Sequence, residues 1–271
     1  MPLPRRLEKV RRFLRRRFGP RSAVPLFWHV GRPNFGDDVN PTFFAGLRGG
    51  RVRFAADRER QHVLAAGSIL QHSGPASVVC GSGFLQRPDA PVQARELVAV
   101  RGVLSAECCA GAPPLLGDPL VLVDQFVMRP AARRRYGYVP HVTSVARWRR
   151  IAGARAFVID PAWSPWRVIA EIAACDVVVS QSLHGLIVAD ALGIPNVWVA
   201  PSDLMSGGRF KFDDYFSTLD RIKEPIPEGR DLFSTPHHVA AEAARYRFCK
   251  QRYREALVAA LDRVAADWAG R

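Results

Sequence analysis

Nowhere in these 271 residues does an apolar run reach the roughly 18 positions that a membrane-crossing helix needs, so the sequence predicts no span. No apolar stretch of about 7 to 15 residues follows the N-terminal charges, and a secretory signal is not expected either. The C-x-x-C spacing is absent. Five cysteines, Cys80, Cys108, Cys109, Cys175 and Cys249, are odd in number and scattered, the pattern of buried thiols in a reducing compartment and not of a disulfide frame. Histidines at ligand spacing are missing: His237 and His238 are adjacent, while His29, His62, His72 and His141 stand alone. That predicts no metal site. Internal repeats and low-complexity tracts are absent as well.

Negative charge is scarce, 25 Asp and Glu against 39 Lys and Arg, for a formal net charge of +14. Such a total would suit nucleic acid, but its location argues otherwise. Residues 1 to 21 hold nine basic residues and one acid, net +8, leaving +6 for the other 250. With the basicity mostly terminal and no DNA or RNA recognition motif beside it, nucleic acid is not an expected partner. Within the same segment Leu3, Leu7, Val10, Leu14 and Phe18 recur at spacings of three and four, along one helical face with arginines around the rest. Two readings stay open for residues 1–21: a basic amphipathic helix on an anionic membrane surface, drawn by about 1 kcal/mol per basic residue near the lipid, or a solvated basic arm.

What the chain does have is 48% hydrophobic residues, enough for a large core in one or two domains. Strand candidates run Val24 to Val30, Val52 to Ala55, His62 to Ala66, Ser77 to Cys80 and Leu97 to Val100, with Asp37 as N-cap of a helix reaching Leu47. The pattern breaks across Arg129 to Arg135. Beyond it, Tyr136 to Val142, Ala156 to Ile159, Asp176 to Val179 and Asn196 to Val199 read as strands, alternating with helices near Val145 to Ile151, Pro165 to Ala174 and His184 to Leu192. An alanine-rich amphipathic helix is predicted from about His238 to Trp268. The expected organisation is an N-terminal Rossmann-like domain over 22–130, a C-terminal one over 131–235 and a long helix within 236–271. It is an α/β fold of two Rossmann-like halves facing a cleft.

The most informative stretch is Ser180 to Val199, S-Q-S-L-H-G-L-I-V-A-D-A-L-G-I-P-N-V-W-V. It reads as a strand end, a polar turn, a helix and a second strand. Strands of parallel sheets deliver ligands to their carboxyl ends, where the next helix offers free N–H groups and its positive dipole end. Ser180, Gln181, Ser182, His184 and Gly185 stand there, suited to holding an anion and moving a proton beside it; the plainer reading is a capped turn around a satisfied histidine. Four further motifs change the weighting. In order, N-F-G-D-D-x-N-P from Asn34, R-G at Arg101, G-D-P from Gly117, S-L-H-G-x-I-x-A-D-A-x-G-I-P from Ser182 and K-F-x-D-Y from Lys211 resemble the polysaccharide pyruvyl transferase family, from about Phe27 to Leu219. Each motif is weak alone, and their collinearity is the strong part.

The resemblance implies a two-domain fold similar to the glycosyltransferase B type. It also implies transfer of the pyruvyl group of phosphoenolpyruvate onto two hydroxyls of one sugar of a cell-surface polysaccharide or its precursor, giving a ketal. No metal and no organic cofactor are expected, phosphoenolpyruvate being the co-substrate. The saccharide acceptor is lipid-linked or free, and the expected location is cytoplasmic, peripheral to the inner face of the membrane. His184, Asp37 and Asp38 are the candidate catalytic residues. Arg101, Ser180, Ser182, Gly185, Arg209 and Lys211 are candidates for donor binding, and Asn34 with Asp38 for acceptor binding. Many family members carry arginine where this chain has Ser182; Arg209 or Lys211, beside the Ser206-Gly207-Gly208 loop, are the cations available to replace it. Two rival readings remain: a glycosyltransferase using a nucleotide sugar on the same fold, and a non-catalytic membrane-associated subunit of a polysaccharide synthesis complex.

Overall fold

The computed structural model describes residues 23–154, 156–202, 205–233, 241 and 243–269. The amphipathic N-terminal segment of residues 1–21 lies outside them. Among the described residues the short apolar runs become eight strands: β1 (Val24–Phe27), β2 (Val52–Phe54), β3 (His62–Leu64), β4 (Ser77–Ser82), β5 (Glu96–Val100), β6 (Arg134–Val139), β7 (Cys175–Ser180) and β8 (Asn196–Trp198). Every strand pairing is parallel. Parallel strands are covered on both faces, which is why β4 and most of β7 are buried along their length and read as unbroken apolar runs.

The first sheet has the order β2-β1-β3-β4-β5 and the second β6-β7-β8. Single parallel bridges extend the second at both edges, Val158 beside Tyr138 and Ile226 beside Val199. Numbered along the chain, the extended second sheet therefore runs 2-1-3-4-5, the same order as the first. In such a sheet the chain leaves the first strand toward one edge and returns beside it as the third, so a crevice opens outside the carboxyl ends of strands one and three. The structure contains two such points, beyond β1 and β3 and beyond β6 and β7. The strand expected over Ala156 to Ile159 is reduced to the bridge at Val158, because only one pairing with β6 forms there.

Helices fill the crossovers: α1 (Phe35–Asp38), α2 (Asn40–Arg48), α3 (Val103–Ala106), α4 (Val145–Ala152), α5 (Pro165–Ala173), α6 (Leu183–Ala191), α7 (Phe210–Phe216) and α8 (Lys250–Ala269), with a 3-10 turn over Pro119–Gln125. All nine residues of α6 are buried. It lies between β7, β8, α5 and the 3-10 turn, which explains an apolar sequence with no polar face. Through these contacts one hydrophobic cluster runs across both sheets, from Leu26 and Val78 to Val178, Leu186 and Trp198. Each fully buried Leu, Val or Phe in it contributes on the order of 1.5–3 kcal/mol relative to exposure.

The expected helix from His238 begins only at Lys250; residues 238–240 and 242 of it lie outside the described residues. Upstream, the chain is held extended by neighbours: Arg245 N–H donates to Asp220 Oδ1 at 3.0 Å, Arg247 N–H to the Thr218 carbonyl at 2.9 Å, and Tyr246 bridges Leu219. These bonds use the groups that a helix would have paired internally. From Tyr253 onward Leu257, Ala260, Leu261, Val264 and Ala265 are buried at helical spacing. That stripe packs on β1, β3, β4 and β5, so α8 follows the second sheet in sequence yet covers the first. Among the described residues no helix is long and apolar enough to cross a membrane.

Candidate active site

At the crevice of the first sheet, the N-F-G-D-D-x-N-P segment forms α1 and the start of α2. Asn34, not Asp37, caps α1: its Oδ1 accepts from Gly36 N–H at 3.4 Å. Asp37 lies inside the first turn of α1, past its cap, and α2 starts after Val39 without a side-chain cap. Asn34 also binds both aspartates, donating from Nδ2 to Asp37 Oδ2 at 3.0 Å and from its backbone N–H to Asp38 Oδ2 at 3.0 Å. Asn40 is buried and makes a two-way bridge to the end of β3: Ala66 N–H donates to its Oδ1 at 2.9 Å and its Nδ2 donates to the Ala66 carbonyl at 3.1 Å. This bridge holds the β1 and β3 loops together across the switch point. One residue farther on, Gly67 has φ 119°, and a β-carbon there would sit 3.4 Å from Asp37 Oδ1.

At the crevice of the second sheet, Gln181 N–H donates to the Val139 carbonyl at 2.9 Å and His141 N–H to Gln181 Oε1 at 3.2 Å. Ser182 occupies the N-cap position of α6 but its side chain makes no capping bond. Ser180 organises the turn instead, its Oγ donating to the Ser182 carbonyl at 2.8 Å and accepting from Ser182 N–H at 3.1 Å. Gly185 lets this happen, since a β-carbon there would lie 2.4 Å from that hydroxyl. His184 then leaves the first turn of α6 toward the other sheet. Its Nδ1 meets Gly36, where an added β-carbon would be only 1.9 Å away, and its ring packs edge-on against Phe35 at 6.2 Å between centroids.

The surroundings of His184 come from four segments. Its Nε2 is buried without a hydrogen-bond partner, 3.9 Å from Asp118 Oδ2, which is also buried and unpartnered. Burial, then the charges of Arg101 and Lys211, push the imidazole pKa down to about 3. Burial pushes Asp118 up to about 6 despite the Leu120 N–H on its other oxygen and the charge of Arg101. Lys211, half-buried on α7, is brought down to about 8 by burial and by Arg101, against the attraction of Asp37. His141 falls to about 4 through burial and Lys211. These mutual shifts tie Asp37, Arg101, Asp118, His141, His184 and Lys211 into one electrostatic neighbourhood, although they span Asp37 to Lys211 in sequence.

Arg101, just past β5, is fully buried. Its Nε donates to Asp214 Oδ2 at 2.9 Å, Nη1 to Ser68 Oγ at 2.8 Å and Nη2 to the Phe84 carbonyl. Asp214 is held in turn by Ser105, which donates its N–H at 2.8 Å and its hydroxyl at 2.6 Å. The guanidinium of Arg101, a candidate for donor binding, is thus engaged by protein groups, and Asp214 of the K-F-x-D-Y motif is its anchor. Arg209 is half-exposed and lies near Asp213 at 3.4 Å and Glu224 at 3.9 Å, outside the group around His184. Sequence reasoning missed Asp118, His141 and Ser68. The first stood in the G-D-P motif without a role of its own, the second stood alone, and nothing local marked the third. Asp190, within the same motif as His184, ties neighbouring elements together: it accepts from Lys223 Nζ at 2.7 Å, Asn196 Nδ2 at 2.7 Å and Tyr215 OH at 3.1 Å.

Comparison with known proteins bears on the whole arrangement. A model of the polysaccharide pyruvyl transferase family matches residues 83–203, which include Arg101, Asp118 and His184. The succinoglycan biosynthesis protein ExoV of Rhizobium meliloti is 31% identical over 214 residues, 74% of this chain. The chain spans 66% of that protein's length, just under two thirds. The uncharacterised protein L143 of Acanthamoeba polyphaga mimivirus is 31% identical over 216 residues, 73% of this chain and 75% of that protein. Among solved structures, an uncharacterised Klebsiella pneumoniae protein aligns with 84% of this chain and all of its own at 10% identity and a TM-score of 0.43.

Proposed function

We propose, from the premise that this chain belongs to the polysaccharide pyruvyl transferase family, that it is a transferase moving the pyruvyl group of phosphoenolpyruvate onto a saccharide of a surface polysaccharide or its precursor. The observation that carries the reading is the meeting of two switch points on one imidazole. His184 from the second sheet touches Gly36 from the first, with Arg101 and Lys211 close enough to depress its pKa. The donor carries a phosphate and a carboxylate, so it calls for fixed cations in a shielded place. Lys211 is the half-buried cation that can meet it directly. Arg101 supplies field, and its bond to the half-exposed Ser68 hydroxyl is the one that a donor oxygen could replace.

In this reading the donor's negative charge offsets the two cations that hold His184 neutral, and the imidazole can then carry a proton. His184 passes it to the methylene carbon of phosphoenolpyruvate, which becomes the methyl group. A sugar hydroxyl attacks the adjacent cationic carbon, its proton passing to Asp37 or Asp38 as the base. The second hydroxyl displaces phosphate, which leaves with the remaining proton and closes the ketal. The acceptor lies against Asn34 and Asp38. No metal or organic cofactor is called for. A nucleotide-sugar reading would want a free acid near the end of the second sheet to hold a ribose. Glu228 sits there, but its carboxylate oxygens accept from Trp148 Nε1 at 2.9 Å and Gln181 Nε2 at 2.9 Å. Incubation with phosphoenolpyruvate and saccharide acceptors tests the proposal: acceptor-dependent phosphate release with a new ketal methyl signal is expected. Turnover of a nucleotide sugar in place of phosphoenolpyruvate would overturn it.

A further inference from the structure

We propose that Asp118 is the positioning residue of His184: it holds the imidazole proton on Nε2 and so presents Nδ1 as the proton-carrying atom toward Gly36 and the reaction space. The inference rests on the pyruvyl-transfer reading for its catalytic consequence, though not for its geometry. Two buried polar atoms, His184 Nε2 and Asp118 Oδ2, have no other partner and face each other at 3.9 Å. A carboxylate oxygen only accepts, so the pair is satisfied by one arrangement, with the proton on Nε2. The distance exceeds a hydrogen bond. Catalytic contacts are often long in ligand-free sites and tighten when substrate binds.

Asp118 is built to stay where it is. Its other oxygen, Oδ1, accepts from Leu120 N–H at 2.9 Å as the cap of the 3-10 turn. The preceding carbonyl, of Gly117, accepts from Tyr253 OH of α8 at 2.6 Å, and the turn packs directly against α6. Only Oδ2 remains, and it points at the imidazole. On the other side of the ring, Nδ1 lies against Gly36, where an added β-carbon would collide with it at 1.9 Å. The charged and titratable groups facing the pair are Arg101 just past β5, Asp214 and Lys211 on α7 with Asp37 opposite Lys211, and Tyr246 and Tyr253 beside Asp118. Arg101 and Lys211 repel a proton on the ring, and Asp118 is the acid nearest to it.

The test uses the full chain labelled with 15N in histidine, the His184 signals being those lost in His184→Gln. The expected spectrum shows a protonated Nε2 and a bare Nδ1 at neutral pH. Asp118→Asn keeps an oxygen for Leu120 N–H and turns an amide NH2 toward Nε2, so it should move the proton to Nδ1. Its kcat should fall by about 100-fold or more while the KM for phosphoenolpyruvate changes by less than about threefold, since orientation and not donor binding is lost. Asp118→Glu should restore the Nε2 proton and part of kcat. A wild-type ring protonated on Nδ1 would overturn the proposal, and that spectrum decides it even if the variants fail to fold. So would an Asp118→Asn protein with unchanged tautomer and kcat. If the wild type never releases phosphate from phosphoenolpyruvate, the functional reading fails while the tautomer spectra still decide the pairing.

Discussion

Gly36 and His184 are in direct contact across the two sheets: a single added carbon at Gly36 would lie 1.9 Å from His184 Nδ1. That contact joins the loop after β1 to the first turn of α6 and fixes how near the two switch points lie. A motif glycine that local sequence explains as a turn former is here a hole for an imidazole.

Gly36→Ala should therefore destabilise the protein by about 1–3 kcal/mol through overpacking and reduce phosphate release, because the ring must leave its place. Adding His184→Ala should return most of the stability and none of the activity. Thermal unfolding of the two variants checks this. A Gly36→Ala protein with wild-type melting and turnover would show that the ring swings clear of α1.

The buried pair of Arg101 and Asp214 separates stability from chemistry. Arg101→Met leaves Asp214 charged and unpaired beside Ser105, a loss of about 3–5 kcal/mol. Combining it with Asp214→Leu should recover much of that in denaturant unfolding. Turnover should stay down by about 100-fold in both, since the cation itself is gone. A double variant with restored activity would remove Arg101 from the donor site.

Two buried groups give opposite pH dependences. Asp118, raised by burial from 3.8 to about 6, is protonated in the native state where the unfolded chain is ionised, so its contribution is present below about pH 4 and lost as pH rises to 6. His184, lowered by burial from 6.5 to about 3, contributes fully above pH 6.5 and loses this as pH falls toward 3. Between pH 4 and 6 the slopes oppose. Relative to the wild type, His184→Gln should make stability fall more steeply with rising pH in that window, and Asp118→Asn should make it rise, each by about 1 kcal/mol per pH unit. Urea unfolding at several pH values measures both; identical slopes in all three proteins would contradict the assignment.

Residues 1–21, net +8 with apolar side chains at helical spacing, should carry reversible binding to anionic vesicles that weakens with salt, because exposed charges are screened beyond about 8 Å at physiological ionic strength. Cosedimentation of the full chain and of a form lacking residues 1–21 tests this. The truncated form should lose binding and keep its turnover on a soluble acceptor. Loss of activity in a folded truncated protein would assign the segment to the catalytic body.

Local pattern was enough for the strands. Runs such as Val24 to Phe27 and Val177 to Val179 are short and apolar on both faces, as a covered parallel sheet requires, and Asn34, Gly36, Arg101, His184 and Lys211 could be singled out from motifs that keep their order. By itself the sequence thus determined an α/β chain with ligand-facing loops at its strand ends. Only tertiary structure decided what those side chains do. Arg101 stood out as a donor-binding cation, but nothing near it in sequence pointed to Asp214, 113 residues away, as its partner at 2.9 Å. Asp118 was only a member of the G-D-P motif until α6 brought His184 to 3.9 Å from it. The C-terminal helix was cut back to Lys250 because the chain before it pairs with residues 218–220. In each case the deciding partner is distant in sequence, and no local propensity encodes which buried charge will face which. The period of apolar residues fixes strands and helices because it acts over a few neighbours. Charge pairing and ring orientation depend on how two sheets meet, and that exists only once the chain has folded.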